Sequence, residues 1–523
     1  MKKIVTLSTC ILITCISFAQ NPGDLVQTYG MNGISVISLT DRRNVLSDIA
    51  LQSNDRLITA GKTFYLPTSE WNTMATRLTK DGMLDNFGNN SIFFQNDFNN
   101  DEDEEAFACC VLPDDKILLA GAYTSGSEEY HFVSQLTSDG QLDPSFGNAG
   151  SYINESIPFY MISLKTYASS SLNTILACGS SGTFDPAMLT LDENGDPVSS
   201  FGDNGYYICT ELHCYFTDIV VDRTGGYIYA CGFNRLVPAY CFVSKHNLIT
   251  GALVTTFADN GVMKINPFGS ALLFTTYTIV FEEDTDLITV FGDYKHTDGD
   301  FDIFAFRLHA NDGSFDNSFG LNGFSTLRIP SSNEYINTAV LQSNGQYYFG
   351  GYTDSSADND FMLGRIDTNG VLDQTFGNNG FTITDMGLDE QIEKLVLNEN
   401  ESRILAGGNI SSGNHQMMVA CYHTGYHPSG IVSNKDQGIH ATIYPNPVNG
   451  DNFTVSFDIN HESELIINLL SIEGQLIKQC SSAHKTAGNY SETFHLPSGL
   501  PGGVYIIEMK LTNYSTFLKL VNY

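Results

Sequence analysis

The stretch Gly313-Ser-Phe-Asp-Asn-Ser-Phe319-Gly320 decides the fold, because variants of it recur along the chain at a regular interval. Seven copies occur, and their aromatic residues are Tyr29, Phe87, Phe146, Phe201, Phe257, Phe319 and Phe376. Successive aromatic residues lie 58, 59, 55, 56, 62 and 57 positions apart. A period of this length indicates a repeat architecture with one structural unit per copy.

Each interval predicts four β-strands, since polar and apolar residues alternate in short runs bounded by Gly and Asn. In the sixth interval the predicted strands are Gly323–Ile329, Tyr335–Gln342, Gln346–Gly351 and Phe361–Ile366. The second and third form a hairpin, and its Asn-Gly turn supplies the positive φ that a tight turn requires. A four-stranded sheet repeated in this way is typical of a β-propeller blade.

The two ends of the repeat region complement each other. The chain begins with one lone strand, Ile34–Leu39, and ends with a set of three strands between Ile392 and Tyr422. Pairing the lone strand with this set would complete a seventh sheet and bury two sheet edges. We therefore predict an all-β protein, with a seven-bladed β-propeller over residues 20–423 that the N-terminal strand closes.

The copies resemble the delta-60 repeat family (DUF5122-like), whose units carry a Leu-Asp-x-x-Phe-Gly motif and are taken to form β-propellers. The resemblance covers residues 24–425, with departures such as Tyr29 in place of Phe, Pro197-Val198 in place of Leu-Asp, and Ala258 in place of Gly. The resemblance implies the fold of the repeat region more than any catalytic activity. The fixed place of each Phe beside a Gly turn predicts a plug between adjacent blades rather than a ladder for ligand stacking.

The terminal segments predict export. Residues 1–19 have two lysines, then an apolar run and small residues, which is typical of a signal peptide cleaved between Ala19 and Gln20. A turn-rich linker follows the propeller at residues 424–440. Strands predicted at Phe453–Ile459, Leu465–Ser471 and Val504–Leu511 then indicate a small β-sandwich over residues 441–523.

This last domain resembles the type A sorting domain of the type IX secretion system. The resemblance rests on order, spacing and terminal position of a motif that includes Pro445, Asn446, Pro447, Gly503, Tyr505 and Lys519. It implies that the type IX machinery is a partner and that the protein crosses the outer membrane of a Gram-negative bacterium. The expected location is the cell surface or the medium, with the tail removed in or near the linker.

The charge excludes some partners. The chain has 59 acidic and 25 basic residues and a net charge of −34, a field that repels phosphate backbones and anionic lipid. We expect no nucleic-acid partner and no transmembrane segment, because no stretch of the mature chain is long and apolar enough to span a bilayer.

Motifs for catalysis are missing from the sequence, which has no nucleophile elbow, phosphate loop or zincin helix. Two loops that enter predicted strands hold clustered carboxylates, namely Asp298, Asp300 and Asp302 in one, and Asp358 and Asp360 in the other. Oxygen ligands of this kind suit calcium, although plain solvated loops give the same pattern. We expect no other cofactor, and we interpret the dispersed histidines as core or surface residues.

Nine cysteines remain after cleavage, so at least one thiol stays unpaired. Cys209 and Cys214, with four residues between them across a turn, are the best candidates for a disulfide. Cys178 and Cys231 occupy repeat positions held elsewhere by alanine, which indicates small buried side chains.

Two classes of function stay open. The first is a noncatalytic binding, adhesion or surface-structural module whose loops face a surface glycan or a protein. The alternative is a secreted polysaccharide hydrolase or lyase with a site at the propeller axis, which would need two converging carboxylates or a His pair there. Trp71 is the single tryptophan, which argues mildly against a sugar-stacking platform.

Overall fold

A computed structural model describes the chain from residue 21 onward. It leaves out residues 40–41, 66–68, 90, 96–102, 126–127, 158, 169–172, 182–184, 210–213, 235–238, 267–272, 296–298, 331, 355–357, 412–414, 427–440, 447, 449–451, 460–462, 472–475, 487, 498, 511–514 and 523. The predicted cleavage site at Ala19 and Gln20 therefore lies outside the described residues. The chain divides into two compact units, Met1–Tyr426 and His427–Tyr523.

The described part of the first unit contains seven four-stranded antiparallel sheets, and in six of them strands that follow one another along the chain are hydrogen-bonded neighbours. Sheet 1 holds β2 (Arg42–Gln52), β3 (Arg56–Tyr65), β4 (Glu70–Leu78) and β5 (Ile92–Gln95), with a short 3-10 helix at Ser53–Asp55. Sheet 2 holds β6 (Glu104–Val111), β7 (Ile117–Ser125), β8 (Glu128–Leu136) and β9 (Ser151–Asn154). Sheet 3 holds β10 (Phe159–Ala168), β11 (Asn173–Ser181), β12 (Pro186–Leu191) and β13 (Tyr206–Ile208).

The next three sheets repeat the pattern. Sheet 4 holds β14 (Tyr215–Asp222), β15 (Tyr227–Asn234), β16 (Tyr240–Asn247) and β17 (Val262–Ile265). Sheet 5 holds β18 (Leu273–Glu282), β19 (Leu287–Lys295), β20 (Phe301–His309) and β21 (Phe324–Leu327). Sheet 6 holds β22 (Glu334–Leu341), β23 (Tyr347–Thr353), β24 (Asp360–Ile366) and β25 (Phe381–Thr384).

Sheet 7 combines the two ends of the repeat region. It consists of β26 (Asp389–Leu397), β27 (Arg403–Ser411), β28 (His415–His423) and, at its edge, β1 (Ile34–Ile37). Strand β1 runs antiparallel to β28, with Ile34 opposite Ala420 and Ile37 opposite Met417. The predicted pairing of the N-terminal strand with the last three strands is therefore present.

The first strands of the sheets contact one another in sequence, from β2 through β6, β10, β14, β18 and β22 to β26, and β26 contacts β2 in turn. Each has a β-bulge at the same place, and the residues that follow the bulge are Asp48, Ala108, Ser163, Asp218, Thr278, Thr338 and Lys394. Bulges of this kind increase the local twist of a strand.

The repeated aromatic residue joins adjacent sheets, and the plug prediction is confirmed. All seven aromatic residues are buried, and each of the first six rings lies against the glycine that opens the next copy. Gly140, at φ +86°, is so close to Phe87 that a Cβ would fall 2.6 Å from the ring. The chain turns here in a conformation that disfavours side chains.

Arginines near the ends of three strands reinforce this junction. Arg77, Arg307 and Arg365 form ion pairs with the motif aspartates Asp85, Asp316 and Asp373, with N–O distances of 2.8, 2.7 and 2.8 Å. Arg365 also donates from Nη1 to the carbonyl of Thr424 at 2.6 Å. Thr424, which the sequence places at the start of the linker, therefore packs within the first unit.

The second unit contains two sheets around one core. One has the strands β29 (Ala441–Tyr444), β30 (Asn452–Ile459) and β33 (Gly488–His495), and the other has β31 (Ser463–Leu470), β32 (Leu476–Lys485), β34 (Gly503–Lys510) and β35 (Ser515–Asn522). Apolar residues from both sheets, including Phe453, Val455, Ile467 and Ile507, form one buried cluster. Within the described part of the chain, no helix is long and apolar enough to cross a membrane.

Candidate functional site

The first strands of the seven sheets together line a central cavity of ≈ 420 Å³. Two lysines and two aspartates from four different sheets face it. Lys394 Nζ lies 3.8 Å from Asp48 Oδ1, and Lys165 Nζ lies 3.4 Å from Asp218 Oδ1. Two positive and two negative charges therefore compensate one another in this cavity.

Backbone N–H groups donate hydrogen bonds to both aspartates. Asp48 Oδ2 accepts from the N–H of Cys109 at 2.9 Å, and Asp218 Oδ2 accepts from the N–H of Ile279 at 3.2 Å. Burial opposes the ionisation of Asp218, but Lys165 and Lys394 outweigh it and hold its pKa below the usual value. Each ion pair links two neighbouring sheets, since Lys394 and Asp48 belong to sheets 7 and 1 and Lys165 and Asp218 belong to sheets 3 and 4.

A second cavity, which we call the aromatic cleft, lies where sheets 1, 2 and 3 meet. It has a volume of ≈ 250 Å³, and its lining includes Trp71, Phe107, Tyr123 and Tyr160. The rings of Phe107 and Tyr160 are 4.5 Å apart between centroids, although they come from different sheets. Aromatic faces beside polar groups are typical of sites that bind amphipathic ligands such as sugars.

Charged side chains edge the aromatic cleft. Lys62 Nζ contacts Glu105 Oε2 at 2.6 Å and lies 4.7 Å from the centre of the Trp71 ring. Asp103, Glu104 and Glu129 add further negative charge to the lining. Burial raises the pKa of Glu105, against the opposing effect of Lys62. The cleft therefore favours neutral or cationic ligands over anions.

The predicted calcium ligands separate into two groups. Asp298 lies outside the described residues, whereas Asp300 is exposed and Asp302 is buried in sheet 5. Asp358 and Asp360 lie together with a third carboxylate, Asp385, and their oxygens are within 4.8 Å of one another. Sequence reasoning missed Asp385, which follows the next strand, β25.

The histidines buried in the core match the sequence interpretation. His131 and His246 are fully buried, and burial lowers their pKa values to about 3 and about 4. Nε2 of His131 is 2.8 Å from the hydroxyl of Tyr206. Neutral imidazoles of this kind serve packing and hydrogen bonding rather than proton transfer at neutral pH.

The predicted disulfide is not formed, since Cys209 and Cys214 are not bonded to each other. Cys214 is buried within the core of sheets 3 and 4, and its sulfur lies 3.5 Å from the hydroxyl of Tyr240. This placement commits its side chain to the core, whereas Cys209 is only half-buried. Cys178 and Cys231 are buried, as predicted.

The sorting motif forms a set of contacts at the end of the second unit. Asn446 donates from Nδ2 to the carbonyl of Lys519 at 2.6 Å and accepts the N–H of Val521 on Oδ1 at 2.9 Å. Gly503 lies opposite Asn522 in the β34–β35 pair, and the hydroxyl of Tyr505 donates to the carbonyl of Pro501 at 2.7 Å. Pro447 is outside the described residues.

Two family models match the chain. The secretion-system C-terminal sorting domain covers residues 442–522, and a β-propeller domain of unknown function, DUF5122, covers residues 112–146. The chain thus combines β-propeller repeats with a type IX sorting tail, and it is a secreted or cell-surface protein. No curated protein matches it significantly.

Solved structures resemble the chain only distantly. Sqt1 from Chaetomium thermophilum is 11% identical, with 73% of this chain and 96% of that chain covered at a TM-score of 0.41. The β-propeller domain of the Trilobed protease from Pyrococcus furiosus is 10% identical, with coverages of 72% and 97% and a TM-score of 0.38. The acylaminoacyl peptidase of Pyrococcus horikoshii is 12% identical, with coverages of 80% and 57% and a TM-score of 0.37. Scores this low carry no argument about function.

Proposed function

We propose that this exported β-propeller protein is a seven-bladed ring that acts outside the cell as a noncatalytic binding module for a surface glycan or a protein. Closure is supported by contacts between first and last sheets. Strand β26 contacts β2, the side chain of Asn409 accepts the N–H of Leu46 at 2.7 Å, and the N–H of Gly377 donates to the carbonyl of Pro22 at 2.9 Å. In the other copies that last bond reaches the residue before the next glycine, so Pro22 stands in for a following copy.

The aromatic cleft carries the proposal of a binding role. Trp71, Phe107 and Tyr160 converge there from three sheets, beside an ion pair that can hydrogen-bond to hydroxyl or amide groups. The central cavity supports the noncatalytic part, because each of its aspartates is paired with a lysine. A surface-structural role would instead require the acidic protein to self-associate, which sedimentation of the mature chain would reveal.

A specific observation keeps the hydrolase or lyase alternative open at the aromatic cleft. Glu105 has a raised pKa, and its charge and that of Glu129 act on the hydroxyl of Tyr160. Glycoside hydrolysis uses a carboxyl group of raised pKa together with a second carboxylate. An enzyme would cleave the polysaccharide that it binds, whereas a binding protein would release it intact.

Screening the mature chain on glycan and protein arrays, with product analysis of every bound glycan, tests the proposal. We expect saturable binding of an unmodified ligand, and Trp71→Ala should weaken this binding about fivefold, because one stacked ring contributes on the order of 1 kcal/mol. Tyr335→Ala is the matched control, since Tyr335 is a half-buried aromatic residue stacked on Tyr352 in sheet 6. If the ligand is cleaved and Glu105→Gln abolishes that cleavage, the result would favour the enzyme. If Trp71→Ala and Tyr335→Ala weaken binding equally, the aromatic cleft is not the binding site.

A further inference from the structure

A cluster of four carboxylates lies between sheets 6 and 7, and we call it the acidic corner. It consists of Asp358 and Asp360 before and at the start of β24, Asp385 after β25, and Glu390 in β26. Ligand oxygens of the three aspartates lie within 4.8 Å of one another. Two oxygens bound to one Ca²⁺ at about 2.4 Å can be up to about 5 Å apart, so this spacing suits a shared ion.

Glu390 is the observation that sets this cluster apart from a solvated acidic loop. Its side chain is 0% exposed; Oε1 accepts the N–H of Leu388 at 3.2 Å, whereas Oε2 has no hydrogen-bond partner. The N–H of Glu390 donates to the carbonyl of Asn359 at 2.7 Å, which fixes Glu390 against the loop between Asp358 and Asp360. A buried carboxylate oxygen left without a donor is costly unless a cation approaches it.

The preceding repeat holds the same constellation with one exchange. Asp300, Asp302 and Glu334 occupy the positions of Asp358, Asp360 and Glu390, at the same places before β20, in β20 and in β22. Directly after β21, where Asp385 would correspond, the chain has Arg328. The positive charge of Arg328 acts on Glu334. Oε2 of Glu334 likewise has no hydrogen-bond partner, so Arg328 acts on this glutamate through its charge, and in the next repeat an acid stands in its place.

We propose that the acidic corner binds Ca²⁺ through Asp358, Asp360, Asp385 and Glu390, and that the ion takes the place that Arg328 holds in the preceding repeat. Hard oxygen ligands at this density are those that calcium prefers. Asp385 is exposed, so the ion can enter from solvent. The site joins sheets 6 and 7 and is independent of the aromatic cleft, so either proposal can fail alone.

Calorimetric titration of the chelator-treated mature chain with CaCl₂ tests the site directly. We expect one saturable site with a Kd of about 0.1–1 mM, the range of calcium sites in extracellular modules. At 10 mM calcium the ratio of folded to unfolded protein should then rise about 10- to 100-fold over the value in EDTA, measured by thermal melting. Absence of saturable binding would overturn the proposal.

Two variants locate the ion, and one serves as a control. Asp358→Asn should weaken calcium binding at least tenfold, whereas Asp300→Asn, its counterpart in the preceding repeat, should leave the Kd unchanged. Asp385→Arg should abolish binding and melt in EDTA at or above the temperature of the original chain, because the guanidinium replaces the ion; a variant that merely failed to fold would melt lower. Calcium binding that survives both Asp358→Asn and Asp385→Arg would place the ion elsewhere and refute the assignment.

Discussion

Replacing Asp316 with Val would break the ion pair that it forms with Arg307 beside the junction of sheets 5 and 6, and would leave the guanidinium buried. Arg307 is only 5% exposed, and its Nε and Nη2 donate to Asp316 Oδ2 at 2.8 and 2.7 Å. Nη1 donates to the carbonyl of Thr368 at 2.7 Å, and Glu282 Oε1 lies 3.7 Å away. Removing one partner of a buried pair costs about 3–5 kcal/mol. Because Glu282 still faces the guanidinium, we expect the lower end, about 3 kcal/mol.

The chain itself provides the rescue. Sheet 3 has Thr190 and Val198 at the positions of Arg307 and Asp316, and it forms the same sheet without an ion pair. The double variant Arg307→Thr/Asp316→Val copies this pair, and replacing a buried ion pair as a whole is often close to neutral. We therefore expect the double variant to be at least about 1 kcal/mol more stable than Asp316→Val alone.

Urea unfolding of the mature chain, followed by far-UV circular dichroism, measures both effects through the midpoint at constant slope. Asp259→Ala, at an exposed aspartate, is the control and should shift stability by less than about 0.5 kcal/mol. A double variant less stable than Asp316→Val would show that the arginine stem, and not its charge, holds the junction, and the reasoning would be wrong.

Three further expectations follow from buried or strained positions. Burial raises the pKa of Asp293 to about 8, above its value of about 4 in the unfolded chain. The protonated Asp293 therefore contributes its full stabilisation below about pH 4. This contribution is lost as the pH rises to 8, which lowers the free energy of unfolding by up to about 5 kcal/mol. Asp293→Asn should flatten this decline in thermal melts at pH 5 and 8, and an unchanged decline would contradict it. Gly140→Ala should lower the free energy of unfolding by more than about 3 kcal/mol in the same urea assay, since the new Cβ would lie 2.6 Å from the Phe87 ring. Gly226→Ala is the control, because Gly226 has φ +74° but open space around it, and it should cost about 1 kcal/mol. Equal losses of stability in the two variants would argue against the plug. Asn446→Ala removes the hydrogen bond from Asn446 to the carbonyl of Lys519. In a host that secretes by the type IX route, this variant should stay inside the cell, as fractionation and immunoblotting would show. Normal export of the variant would mean that the Asn446 side chain has no role in sorting.

The repeat architecture could be predicted because its determinants are local. The strand predicted at Tyr335–Gln342 is observed at Glu334–Leu341, and the strand predicted at Phe361–Ile366 is observed at Asp360–Ile366. Alternation and Gly turns fix such bounds within one or two residues. The plug was equally visible, because an aromatic residue beside a turn glycine recurs in nearly every copy.

The candidate sites could not be predicted in the same way, because their residues meet only across sheets. Trp71 and Tyr160 are far apart in sequence, and the central pair of Asp48 and Lys394 spans almost the whole repeat region. Asp385 was within reach of sequence reasoning, since a comparison of the sixth and seventh copies places it where Arg328 stands. The disulfide prediction failed because four residues of separation say nothing about which side chain the core takes up.

A repeat protein separates positions that build its sheets from positions that are free to contact a ligand. Two adjacent positions in the first strand of each sheet, just before the β-bulge, differ from repeat to repeat. The first of them holds Asn44, Glu104, Phe159, Cys214, Phe274, Glu334 and Glu390. The second holds Val45, Glu105, Tyr160, Tyr215, Thr275, Tyr335 and Gln391. The aromatic plug hardly varies between copies, whereas these two positions change in charge, size and polarity from sheet to sheet. Sheet formation therefore does not constrain them, because every sheet forms regardless of which residue they hold. The aromatic cleft draws Glu105 and Tyr160 from this variable set, and the acidic corner draws Glu390, so both candidate sites use positions that the fold leaves free.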